Sequence, residues 1–280
     1  MRASLSLLLA LVLGSCSMIS CPRQTPPPDV KQMTLAQAHG RLRAESERRV
    51  RVAGLYKARL GGVAGLVASA DLDVIAETPA RLHLAVQSFF GQPVQVLATD
   101  GERVTLYDAR GEGGPRFFAG PATERSAELL LGVPLTVDEV VAAILGRLPP
   151  DVTPLAHAQQ SGSKRYTVVY ALPRGGRATV TADGDDVIRS LVVGDDAGAE
   201  RFALTYDDIE DRAGVPWATS VEVRATVGGK QETLTLSARD ITVNGAPLGD
   251  EVFSVGLPPG ESFEPLPTGA QPAPLGATGP

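Results

Sequence analysis

Between Val50 and Asp108 apolar side chains return at every second position over several short runs, and no other feature restricts the fold as tightly. Val50, Val52, Gly54, Tyr56, Ala58 and Leu60 are separated mostly by Arg, Lys and Ala, and Gly61-Gly62 then turns the chain. Val63 to Val74 runs back and ends in Asp71-Leu72-Asp73-Val74. Leu82, Leu84 and Val86 alternate with Arg81, His83 and Gln87, Val94 and Val96 follow, and Asp100-Gly101 turns into Val104 and Leu106. A period of two sends successive side chains to opposite faces of an extended chain. Short runs of this kind with Gly-containing turns between them predict an antiparallel meander. Phe89-Phe90-Gly91 interrupts the pattern with two aromatic rings at a turn, where polar residues are the rule. Two readings stay open there. Either the rings fold back into the core, or at least one projects from a polar collar of Gln87, Ser88, Gly91 and Gln92, with Phe90 as its tip.

The remainder predicts two helical regions and a second group of strands. Thr34 to Arg49 places Leu35, Ala38 and Leu42 on one side, and Thr34 with Gln37 has capping-box spacing. After a loop at Gly111 to Gly114 and Phe117-Phe118, a helix is expected from Thr123 to Leu131. Gly132-Val133-Pro134 breaks it, and a second runs from Leu135 to Leu145, opened by Thr136 and Glu139. Strands follow at Tyr166–Leu172, Arg177–Ala182, Val187–Val193, Arg201–Tyr206, Trp217–Ala225, Thr233–Ser237 and Ile241–Val243, divided by turns such as Gly228-Gly229 and Asn244-Gly245. Strands, helices, then strands imply an α+β fold, one highly curved antiparallel sheet whose open side the helices cap. From residue 256 to 280 Pro and Gly dominate, and a disordered tail is expected.

The N-terminus reads as a targeting segment over residues 1–15: Arg2, then an apolar run from Leu5 to Leu13 too short to span a bilayer. Leu13-Gly14-Ser15-Cys16 is similar to a bacterial lipobox, which makes Cys16 the expected site of lipidation, with Met18-Ile19-Ser20-Cys21 a second, poorer match. Residues 16–33, with Pro26-Pro27-Pro28, then form a tether. Cys21 is the last cysteine, so no disulfide is expected in the folded part. The net charge of −6 argues against a nucleic-acid surface.

No catalytic, metal or cofactor constellation is legible. His39, His83 and His157 lack neighbours at metal-ligand or triad spacing. Asp183-Gly184-Asp185-Asp186, Asp195-Asp196 and Asp207 to Asp211 all fall between strands, where Asp builds turns. An enzyme is not expected.

Three segments resemble the bacterial lipoprotein-localisation family of the carrier LolA and the receptor LolB. The first is Leu82 to Gly91 with Val94-Gln95-Val96 and Asp100-Gly101, similar to the receptor's strand, apolar loop and strand. The second is Leu131-Gly132-Val133-Pro134-Leu135 through Ile144-Leu145-Gly146-Arg147-Leu148-Pro149, similar to its paired helices. The third is Arg201–Asp207 with Pro216, Val221-Glu222-Val223, Leu234-Thr235-Leu236 and Ile241-Thr242-Val243, similar to its closing strands. The resemblance covers roughly residues 35 to 255 and places the domain at 34–255. It implies an incomplete barrel of about eleven strands, capped by helices, with an apolar cavity for acyl chains. It also implies a monomeric protein anchored through Cys16 to the inner leaflet of the outer membrane, taking acylated lipoproteins from a LolA-like carrier. Phe89, Phe90 and Gly91 would form its insertion loop, and Val52, Tyr56, Leu82, Leu84, Val94, Val96 and Val221 would line core or cavity. A lipid-binding or sensor lipoprotein of the same fold, and a structural lipoprotein without a cavity, are the alternatives.

Overall fold

The computed structural model describes residues 33–61, 68–111, 113–123, 135–159, 164–227 and 230–266. The strands are β1 (Arg51–Gly61), β2 (Ala68–Glu77), β3 (Arg81–Gln87), β4 (Pro93–Thr99), β5 (Arg103–Asp108), β6 (Arg116–Pro121), β7 (Thr153–Gln159), β8 (Tyr166–Ala171), β9 (Arg177–Ala182), β10 (Ile188–Gly194), β11 (Glu200–Arg212), β12 (Val215–Val227), β13 (Lys230–Val243) and β14 (Glu264–Pro265). They form one sheet in the order β14-β6-β5-β4-β3-β2-β1-β13-β12-β11-β10-β9-β8-β7. All pairs are antiparallel except β14 with β6. The sheet is strongly curved and stays open, because the edges β7 and β14 do not meet. The expected curved antiparallel sheet is therefore present, but with fourteen strands where about eleven were expected. The three additions are edge or near-edge strands with poor alternation: β6 has adjacent phenylalanines, β7 contains Pro154, and β14 has two residues. The runs Thr233–Ser237 and Ile241–Val243 are one strand. Its bulge, where Leu55 pairs with Asp240 and Tyr56 with Ala238, resets the alternation without ending the strand. Gly54 lies beside that bulge, and a Cβ there would meet Asp240 O at 2.1 Å.

Alternation sorts the two faces. On β1, β2 and β3 the inner face carries Val52, Tyr56, Leu72, Val74, Ala76, Leu82, Leu84 and Val86. The outer face of the same strands carries pairs such as Lys57 with Asp71, 3.1 Å apart. Two helices lie on the inner face. α1 (Leu35–Glu47) and α2 (Val137–Ile144) each open with a complete capping box, Thr34 with Gln37 and Thr136 with Glu139. α2 presses Val140, Val141 and the following Leu145 onto β1–β6 and Trp217. α1 presses Ala38 and Leu42 onto β8–β11. The helix expected at Thr123 to Leu131 falls almost entirely outside the described residues, and so does the whole of residues 1–32.

Arg49 fastens the ends of both helices. Its buried guanidinium donates to Pro216 O and Gly146 O, each at 3.0 Å, and pairs with Glu45 at 3.2 Å. Arg147 returns a bond to Arg49 O at 2.7 Å.

Past the expected domain end at residue 255 the chain is mostly exposed until Glu264–Pro265 pair with β6, a short ordered contact within the stretch expected to be a disordered tail. A 3-10 turn at Asp250–Phe253 buries Phe253 under the Arg81 guanidinium, 4.1 Å from the ring centre. His83 Nδ1 donates to Val252 O at 2.9 Å, and Val255 N–H donates to Thr105 Oγ1 at 2.9 Å. His83 and Thr105 face away from the helices, so this strap crosses the outer face before β14 joins β6. There Glu264 pairs with Arg116 and Leu266 fills the space over Gly120. Phe253 and Val255 lie inside the expected domain; past residue 255, Leu266 packs among the Pro and Gly that pointed to disorder. Residues 267–280 lie outside the described residues.

Candidate functional site: a hairpin tip and a cleft on one rim

The β3–β4 hairpin ends in a tight turn. Gly91 N–H donates to Ser88 O at 2.9 Å, and Ser88 N–H donates to Gln92 O at 2.7 Å. Gly91 has φ +75°, the left-handed conformation that lets a three-residue loop close. Phe89 and Phe90 thus occupy the two central positions, where no neighbouring strand can cover them. Their exposures are 98% and 86%, and the rings meet edge to face with centroids 5.5 Å apart. Of the two geometries left open by the sequence, the projecting one is present, and both rings project. Leaving a Phe in water forgoes roughly 1.5–3 kcal/mol of burial.

The strand registers put this tip on the same rim as the β1–β2, β5–β6, β8–β9, β10–β11 and β12–β13 turns. Near that rim a cleft of about 330 Å³ opens between α2 and β8–β11. Leu135, Ala143, Leu172, Leu191, Val193 and Phe202 supply its apolar walls, and Glu139, Arg174 and Arg201 its charges. Glu139 accepts from Thr136 N–H at 2.9 Å as part of the helix cap and also pairs with Arg174 of the β8–β9 turn. One carboxylate therefore caps α2 and ties it to the sheet.

The residues expected to line core or cavity fall elsewhere. Val52, Tyr56, Leu82 and Leu84 are buried beneath α2, with Val94 half-buried beside them. Burial pushes the Tyr56 hydroxyl, beside Trp217, up to about 12. Val96 is on the other face: it pairs with Ala85, whereas Leu84 and Leu97 face the helices. A bulge where Val86 pairs with Gln95 and Gln87 with Pro93 lets Val94 face inward and breaks its parity with Val96. Val221 belongs to the central floor, whose rows Ala58–Leu236–Val221 and Leu60–Leu234–Val223 cross β1, β13 and β12. Most of this floor is half-buried. None of the seven lines the cleft, and no alternation pattern marks the residues that do. Cys16 is outside the described residues.

The acidic clusters make turns, as expected. Asp183 Oδ1 accepts from Asp185 and Val187 N–H, Asp195 Oδ1 from Ala199 N–H, and Asp211 Oδ1 from Gly214 N–H. Among the described residues no group of His, Cys, Asp and Glu is arranged to hold a metal, and no helix is long and apolar enough to cross a membrane.

No protein-family model and no curated protein matches this chain. Solved structures do. A LolA superfamily protein from Nitrosomonas europaea is similar at a TM-score of 0.55 and 11% identity, over 77% of this chain and 96% of its own. An outer membrane lipoprotein-sorting protein domain from Vibrio parahaemolyticus gives 0.52 and 10%, over 78% and 95%. A DUF1329 family protein from Desulfovibrio piger gives 0.51 and 10%, over 78% and 96%. At such identities a likeness speaks for architecture, and it agrees with the open sheet and its inner helices: the chain has the LolA-type fold.

Proposed function

We propose that this protein is an envelope lipoprotein that handles acyl chains and takes part in placing lipoproteins in the outer membrane. Cys16 is its lipid anchor and residues 16–33 its tether. Each acyl methylene buried in the bilayer contributes about 0.8 kcal/mol, so two or three chains hold the protein almost permanently. A LolA-like carrier delivers an acylated N-terminus, the half-buried apolar floor of β1, β13 and β12 receives it, and the bilayer takes it up. Each step exchanges one apolar environment for another, so no nucleotide is required.

The observation that carries this reading is the exposed pair Phe89 and Phe90 at a hairpin tip on the cleft rim. Aromatic rings in that position gain burial only by entering something apolar outside the domain. The test replaces both by Ser in the full-length chain. The melting temperature is expected to hold, since neither ring touches the core. Lipoprotein transfer to liposomes from a loaded carrier is expected to fall at least tenfold. An early melt, or unchanged transfer, would sink the wedge. A lipid-binding or sensor lipoprotein is the second reading, favoured by the modest cleft volume. Depletion in the native host separates the two, because only the first predicts that other lipoproteins mislocalise.

A further inference from the structure

We propose that the cleft between α2 and β8–β11 binds a long-chain fatty acid, its chain between Leu191, Val193 and Phe202 and its carboxylate on Arg201. The proposal shares with the functional reading above only the premise that the inner face accepts acyl chains.

The cleft is lined by two chemically distinct kinds of residue. Its walls are aliphatic and aromatic, while Arg174 and Arg201 stand among its lining residues. Glu139 already engages Arg174, and Asp196 is turned to Gly176 N–H, which donates to it at 2.7 Å. Arg201 is exposed and has no hydrogen-bond or ion-pair partner among the described residues. An unpaired guanidinium beside the side chains of Leu191, Val193 and Phe202 matches a ligand with one apolar chain and one anionic end. The planar fork of Arg suits a carboxylate, which it binds through two parallel hydrogen bonds. Size points the same way. At about 330 Å³ the cleft lies near the bottom of the range of small-molecule sites, about 300–1,000 Å³, which favours a single chain. The Glu139–Arg174 pair, spanning from α2 to the β8–β9 turn, would hold the walls together around it.

The experiment titrates the full-length chain with cis-parinaric acid and with its methyl ester, following the fluorescence of the polyene. The ester keeps the chain and removes the charge. Charged hydrogen bonds contribute about 1.5–3 kcal/mol, so the acid is expected to bind at least about tenfold more tightly. Arg201→Gln, at an exposed position that should not disturb folding, is expected to erase that difference by weakening the acid alone. Ala143→Trp, which fills the cleft from α2, is expected to weaken both ligands. Equal binding of acid and ester, discrimination surviving Arg201→Gln, or undiminished binding in Ala143→Trp would each overturn the proposal. Tighter binding of a single-chain lysophosphatidic acid would overturn the choice of a carboxylate. The Phe89→Ser, Phe90→Ser chain should retain fatty-acid discrimination whatever it does to lipoprotein transfer, so this site and the membrane wedge fail separately.

Discussion

The two halves of the sheet carry similar inner faces and use them differently. Over β1–β6 the face is mostly aliphatic, and α2 closes onto it with Val140, Val141 and Leu145. Over β8–β11 the face is bulkier and more polar, with Tyr166, Tyr170 and Tyr206, and α1 covers only part of it. The part that α1 leaves uncovered, toward the β8–β9 turn, is where the cleft opens against α2. Regular packing thus marks the filled half, and the cleft arises where α1 is absent and α2 does not fill the space.

Arg49, at the junction of the halves, provides the harshest test. Arg49→Ala leaves Glu45 paired with Arg48, 2.7 Å away, but strands Gly146 O and Pro216 O. Each carbonyl left without its donor costs about 1–3 kcal/mol, so a loss of about 4 kcal/mol is expected, read by denaturant unfolding. A loss under 1 kcal/mol would mean that the helices are held by their faces alone.

The filled and open halves should answer truncation differently. Leu82→Ala is expected to cost about 2–5 kcal/mol, whereas Leu172→Ala, on the half-buried cleft wall, should cost less than half as much. Equal losses would break the comparison. The strap extends it to the outer face. Ending the chain after residue 266 should leave the melting temperature unchanged, whereas ending it after residue 248 removes buried Phe253 and lowers stability by about 2–3 kcal/mol.

The smallest effect is alkaline. Burial raises the hydroxyls of Tyr166, Tyr170 and Tyr206 well above the ordinary tyrosine range, and that of Tyr56 to about 12. A raised folded value means that stability is complete below about pH 10 and drains as pH climbs toward the folded values. Tyr206→Phe removes one such group and should reduce the loss between pH 8 and pH 11 by about 1 kcal/mol. Three of the four lie in the open half, so hydrogen exchange there should quicken first.

The sequence made the meander legible because Val52, Tyr56, Leu82 and Leu84 obey a strict period of two under a helix that demands it. Both helix starts were legible because a capping box is local chemistry. Where geometry departs from period, reading failed. The bulge at Val94 sent Val96 to the opposite face, the bulge near Asp240 made one strand look like two, and Pro154 disguised β7. The cleft was invisible for a different reason. A cavity depends on where packing stops, and Leu191, Val193 and Phe202 alternate as ordinary core residues do. Phe89 and Phe90 stood out because a turn forbids what the sequence put there.

The pairing of β1 with β13 has a kinetic meaning. β1–β6 and β7–β13 can each form from neighbouring segments, but the seam between them joins nearly the two ends of the domain. Loop-closure entropy makes such a contact late. Until β13 is available, the free edge of β1 is a long, unprotected strand edge near the eventual centre of the sheet. An emerging chain must therefore be shielded along that edge until its last long strand is made, and its greatest danger of aggregation precedes the docking of the seam.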